Sequence, residues 1–185
     1  MKTLKICCKI LKPRSQPPRS MSSPCKDLNS ATLPAEVIDD IAVHMPLAKE
    51  IDRAALLPGM YLAWCGRLGL LSRDFSEQHA EALLRLHYND GSCIEMFVSA
   101  CGGTLRYDCL NERGAEFTRG YYSGYCDDWR ATFGEDIYGV EDSWASYNQI
   151  AAVLTKALLG APQSSDAKHA RAAHKGRKWW KFWNS

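Results

Sequence analysis

The residues best equipped for chemistry are carboxylates gathered in one stretch. Asp127-Asp128, Glu135-Asp136 and Glu141-Asp142 crowd the region around Trp129 and Trp144. Paired carboxylates can act as general acid and base or hold hard cations. Such work requires one of them to be perturbed by burial or by its neighbour. Adjacent residues on a helix point in different directions, so Asp127 and Asp128 cannot face one site together. A hydrolase built here would need Asp128, Glu135 and Asp142 to converge. The commoner fate of such residues is a solvated acidic face or a set of helix caps. A docking face for a basic partner is the other use of the same charges.

No other reactive side chains make a signature. The histidines are His44, His79, His87, His169 and His174, and none has the i, i+4 partner that a helical zinc site uses. His79 and His87 fall two turns apart on one helix, too far to chelate together. None of the eight cysteines has the C-x-x-C spacing of a zinc or redox site. Cys65, Cys93, Cys101, Cys109 and Cys126 lie in or beside apolar stretches, where a free thiol serves as a small core residue in a reducing compartment. There is no G-x-S-x-G elbow, no Cys–His signature and no G-K-[ST] after a glycine-rich turn. A non-enzymatic, cytoplasmic protein with no metal and no cofactor is the expectation.

Two aromatic features remain. Trp64, Tyr121, Trp129, Trp144 and Tyr147 are candidates to line a binding pocket, although an aromatic stripe at helical spacing is more often core. Near the C-terminal end, Lys178, Trp179, Trp180, Lys181 and Trp183 interleave charge with indole rings. That mixture suits a membrane interface, single-stranded nucleic acid, a partner's groove, or an apolar patch on its own domain.

Charge is distributed unevenly. Residues 1–30 carry seven Lys and Arg against Asp27, and residues 161–185 carry six against Asp166, so a net charge of +2 leaves −9 on residues 31–160. An acidic middle disfavours nucleic acid and favours basic protein partners, while basic ends favour anionic surfaces. Lys5 and Lys9 interrupt the apolar residues near Met1, so no export signal is expected, and no apolar run is long enough to span a membrane.

The elements that must position these residues are mostly helices. Pro13, Pro17, Pro18 and Pro24 among many serines suit a disordered basic tail over 1–32. Val37, Ile38 and Ile41 give an apolar stripe at helical spacing after Pro34. Residues 55–71 are apolar almost all round, which suits a central helix closed by Gly69. A helix over 74–88 is capped by Ser72 or Asp74, and Ser92 caps a short one that ends at Gly102-Gly103. If that last segment were instead a strand, it would pair with 104–109 as a hairpin. Asn111 caps a long helix to about Phe133, where Gly120 and Gly124 invite a close helix neighbour. Asp142 or Ser143 caps the final amphipathic helix, which ends at Gly160. The sum is mainly α: an irregular bundle of five or six helices with at most one short strand or hairpin, over 33–160, followed by a flexible basic and aromatic tail over 161–185.

Three ordered blocks carry a family likeness. They are Pro58-Gly59-Met60-Tyr61-Leu62-Ala63-Trp64-Cys65 with Gly69-Leu70-Leu71-Ser72, then Leu110–Phe117 with Tyr121-Tyr122, then Tyr138–Asn148. Over about residues 50–158 the chain resembles the family called domain of unknown function 7832. Members often carry a His just before the Gly-Met pair, where this chain has Leu57-Pro58. The resemblance implies a bacterial source and a helical domain, and it implies no chemistry. Together with the acidic middle, it leads to an interaction protein of immunity or adaptor type. A carboxylate hydrolase and a peripheral membrane protein held by its Trp/Lys tail are the alternatives.

Overall fold

A computed structural model describes residues 36–160. The segments 1–32 and 161–185, including Lys178, Trp179, Trp180, Lys181 and Trp183, lie outside the described residues. The order is β1 (Val37–Asp40), α1 (Ile41–Ala48), α2 (Ile51–Arg67), α3 (Arg73–Gln78), α4 (Ala80–His87), α5 (Cys93–Cys101), β2 (Thr104–Arg106), a 3-10 turn at Tyr107–Cys109, α6 (Glu112–Phe133) and α7 (Trp144–Gly160). The fold is mainly α with one two-stranded antiparallel sheet. Among the described residues, no helix is long and apolar enough to cross a membrane.

Helix α2 is the centre. Every residue from Ala54 to Cys65 is buried, so the helix has no water-facing stripe over that span. It ends in a Schellman turn: Leu70 N–H donates to the Cys65 carbonyl at 2.9 Å, Gly69 N–H donates to Gly66, and Gly69 takes φ +65°. Asn111 then ties this end to the start of α6. Its side-chain oxygen accepts from Gly114 N–H at 2.9 Å as the N-cap, and its amide donates to the Gly69 carbonyl at 2.8 Å.

Two glycines let backbone close on backbone. A Cβ on Gly59 would lie 2.9 Å from the Cys93 carbonyl oxygen at the start of α5, and one on Gly114 would press even closer on the Leu70 carbonyl. The expected role for Gly120 and Gly124 is corrected by the same test, since an added Cβ at either would meet nothing within 4 Å. They sit on α6 away from any neighbouring helix.

Two further elements depart from the sequence expectation, at Val37-Ile38 and over 74–88. Val37 and Ile38 belong to a strand and not to a helix. Asp40 is the reason: its Oδ1 accepts from Ala42 N–H at 2.7 Å, which starts the helix at Ile41. The strand's partner is β2, in the register Val37↔Arg106, Asp39↔Leu105 and Asp40↔Thr104 with an irregularity between Val37 and Asp39. Segment 93–101 is the expected helix, so no hairpin forms around Gly102-Gly103. Instead that turn leads α5 into β2, with Gly103 accepting from Ile41 N–H at 2.9 Å. The expected helix over 74–88 is two helices, which makes seven among the described residues. His79 breaks it with φ −115° and ψ 27°, its ring 4.5 Å from Phe75, and Phe75 and Leu86 on either side are both buried.

Gly59→Ala is expected to lower stability by about 1–3 kcal/mol, because backbone must move to admit the methyl. Gly120→Ala is expected to raise it by up to about 1 kcal/mol through helix propensity alone. Urea unfolding of the two variants checks both signs.

Candidate functional site

The three carboxylates proposed from sequence are not brought to one point. Asp128 accepts a hydrogen bond from the Tyr121 hydroxyl about two turns back on α6. Glu135 is solvent-exposed, with its carboxylate 3.9 Å from Arg130, which also donates to Asp127 at 3.2 Å. Asp142 accepts from the Ser92 hydroxyl at 2.5 Å. Each acid has a different partner.

The aromatic candidates are mostly core. Trp64, Trp129 and Tyr147 are buried, while Tyr121 and Trp144 are half-buried. Trp64 donates through Nε1 to Thr155 Oγ1 at 3.1 Å, and Trp129 donates to the Ile137 carbonyl at 3.1 Å. Tyr61, Tyr122, Tyr125 and Trp129 continue the same cluster, ring against ring at 4.8–5.9 Å. Trp144 and Tyr147 stack under the Arg67 guanidinium, 4.7 and 5.1 Å from its centre, and Arg67 donates in turn to the Leu86 carbonyl at 2.6 Å. This cation–π seat joins α2, α4 and α7.

A buried polar network was not legible in the sequence. His44 is almost fully buried, with Nε2 2.8 Å from Asp39 Oδ1 and Nδ1 3.1 Å from the Tyr138 hydroxyl. A carboxylate only accepts, so Nε2 carries hydrogen. Tyr122 donates to the other Asp39 oxygen at 2.5 Å, and Asp40 N–H donates to Oδ1 at 2.8 Å. Both ring nitrogens and both carboxylate oxygens are thus occupied by protein, which makes this a staple and not a catalytic dyad. Its partners stand 94 and 83 residues away in the chain, so no local motif reveals it. The only sequence trace is a histidine on the first helix after an Asp-Asp pair.

The staple positions a surface. Tyr138 fixes the loop between α6 and α7, as do Trp129 on Ile137 and Ser92 on Asp142. The next residues of that loop, Val140, Glu141 and Asp142, form one wall of an open groove of about 710 Å³. The starts of α2 and α5 form the rest. Leu56, Ile94 and Val140 line it together with Ile51 and Val98, which remain 56% and 39% exposed. Around this apolar floor stand Asp52, Glu95, Glu141 and Asp142; Arg53 lines it while paired with Glu50 at 2.8 Å, and Arg85 meets Glu95 from the neighbouring cleft at 3.5 Å. The acids have local reasons to be there. Ser92 Oγ caps α5 by accepting from Glu95 N–H at 3.1 Å, and Asp52 lies in the first turn of α2, where negative charge complements the helix dipole. A smaller cleft of about 260 Å³ lies beside it, between α4 and α5, lined by His79, Arg85 and Ser99 among others.

Burial sets the state of the core's ionisable groups. It pushes the Cys93 thiol up to about 12, with the Asp142 carboxylate adding to the rise. Burial likewise raises the Cys65 thiol and the Tyr61 and Tyr125 hydroxyls far above their ordinary values. The fold therefore holds their neutral forms. A group raised in the folded state stabilises fully below its unfolded pKa and loses that contribution as pH rises towards the folded one. The thermal midpoint is expected to fall from about pH 9 towards pH 12 as unfolding releases these protons, and Cys93 should resist iodoacetamide at pH 8 until the chain unfolds. His44→Ala should cost about 3 kcal/mol by stranding the Asp39 charge in the interior, which chemical denaturation would measure.

Among curated proteins and among solved structures, no match to this chain was found. A family model does match, over residues 37–140. That span begins at β1 and ends at the groove loop, so it takes in the staple and the two helix starts that floor the groove. The sequence blocks from Pro58 to Tyr122 fall within it, and the third block runs past its end. The chain belongs to the family described as Domain of unknown function (DUF7832).

Proposed function

We propose that this is a non-enzymatic interaction domain whose acid-rimmed groove receives a basic, amphipathic segment of a protein partner. The observation that carries it is the pairing of an apolar floor (Ile51, Leu56, Ile94, Val98 and Val140) with four rim carboxylates, of which Glu95 meets Arg85 while Asp52 and Glu141 have no ion pair among the described residues, and with one arginine already paired to Glu50. Apolar contact supplies affinity in such a groove, and the rim selects the sign of the partner's charge. The −9 carried by residues 31–160 extends that preference over the whole domain and disfavours nucleic acid. The dispersal of Asp128, Glu135 and Asp142 among separate partners removes the support for hydrolysis. An immunity or adaptor role fits an acidic helical domain of this kind. A bacterial cytoplasm is the setting proposed with it, in keeping with the five free cysteines among the described residues.

A synthetic amphipathic peptide of alternating Leu and Lys faces tests the groove. It is expected to bind the full chain with an affinity that falls as salt rises. The double variant Asp52→Lys, Glu141→Lys reverses two exposed rim charges that take no part in the buried staple. It should weaken binding by about tenfold or more with unchanged circular dichroism. Equal binding by the two proteins would overturn the proposal.

A further inference from the structure

The strongest basic and aromatic segment available to such a groove is in the same chain. Residues 175–183 carry Lys175, Arg177, Lys178 and Lys181 with Trp179, Trp180, Phe182 and Trp183, and no acid. The groove offers the complement: an apolar floor including the exposed Ile51 and Val98, and a rim in which Asp52 and Glu141 have no ion-pair partner among the described residues. Trp179, Trp180 and Trp183 stand at i, i+1 and i+4, so a segment that becomes helical on docking presents the three indoles on one side. Lys178 and Lys181 would flank them.

Chain length allows the encounter. Helix α7 begins at Trp144, two residues after the groove residue Asp142, and ends at Gly160. Its 17 residues put that end about 26 Å from the groove at 1.5 Å per residue. Residues 161–174 can span up to about 45–50 Å when extended, enough to bring Lys175 back along α7 to the rim. A segment tethered in this way faces its site at an effective concentration in the millimolar range.

We infer that residues 175–183 dock in cis into the groove bounded by Ile51, Val98 and Val140, so that the chain occludes its own partner site until a competing basic segment displaces them. This inference rests on the groove being a binding site for basic amphipathic segments. In the closed state the Lys side chains meet Asp52 and Glu141, the indoles cover Ile51, Ile94 and Val98, and partner affinity is lowered by the fraction of molecules in that state.

The test uses the full chain. Zero-length carbodiimide coupling, read by mass spectrometry, is expected to link Lys175, Lys178 or Lys181 to Asp52 or Glu141 within one molecule, with a yield independent of protein concentration. The full-length variant Trp179→Ala, Trp180→Ala, Trp183→Ala should lose those links and bind the Leu/Lys peptide at least fivefold more tightly. Three results would overturn the inference: links formed only between molecules, links from Lys2, Lys5, Lys9 or Lys12 in their place, or equal peptide affinity in wild type and triple variant. The last result with intact, rim-dependent peptide binding sinks only the tail's role. Failure of both proteins to bind the peptide, with no links to the rim, sinks the groove as well.

Discussion

A helix with no solvent face constrains everything around it. From Ala54 to Cys65, α2 is covered on all sides. Helix α5 crosses where Gly59 leaves no side chain, so that the Cys93 carbonyl can lie where a Cβ would be. Helix α6 begins where Gly114 makes the same concession to Leu70. Each contact uses a missing side chain to bring backbones together, and the first fixes α5, whose start lines the groove. Packing at this density passes displacement from one element to the next, so the central helix sets the position of surface groups it never touches.

Polar chemistry inside the domain completes that positioning. An Asp, a His and two Tyr side chains in the interior must satisfy one another, because an unpartnered polar group there costs more than its hydrogen bond returns. Tyr122 comes from α6, Asp39 from β1, His44 from α1 and Tyr138 from the loop before α7. Closing that circuit selects one arrangement of four segments. The loop held by Tyr138 presents Val140 and Glu141 to one side of the groove. Arg67 works in the same way at the other end of the loop, with its guanidinium over Trp144 and Tyr147 and its hydrogen bonds on the end of α4.

The acidic rim has two physical origins that reinforce each other. Glu95 and Asp52 sit in the first turns of two helices, where the dipole favours negative charge whether or not a partner exists. Two helix starts side by side therefore gather carboxylates for reasons of stability. What turns them into a rim is the apolar floor that the same two starts leave uncovered at Ile51 and Val98. Helix capping accounts for the acids, but not for exposed aliphatic side chains beside them.

Much of this was legible from residues alone, and the division follows a physical line. Sequence determined what depends on near neighbours: the all-round apolar helix closed at Gly69, the caps at Ser72, Ser92 and Asn111, the end of α6 at Gly134, the mainly α class and the uneven charge. These are local because capping bonds and helical periodicity act over three to five residues. Tertiary structure alone decided what depends on distant partners. The strand at Val37–Asp40 exists because Thr104–Arg106 pairs with it, and the break at His79 is marked by no Gly or Pro in the sequence. Asp39 and His44 become a staple only through Tyr122 and Tyr138. The groove has the same origin, since its floor and rim come from three segments separated by some forty residues each, and no spacing along the chain encodes the meeting of surfaces that only folding brings together.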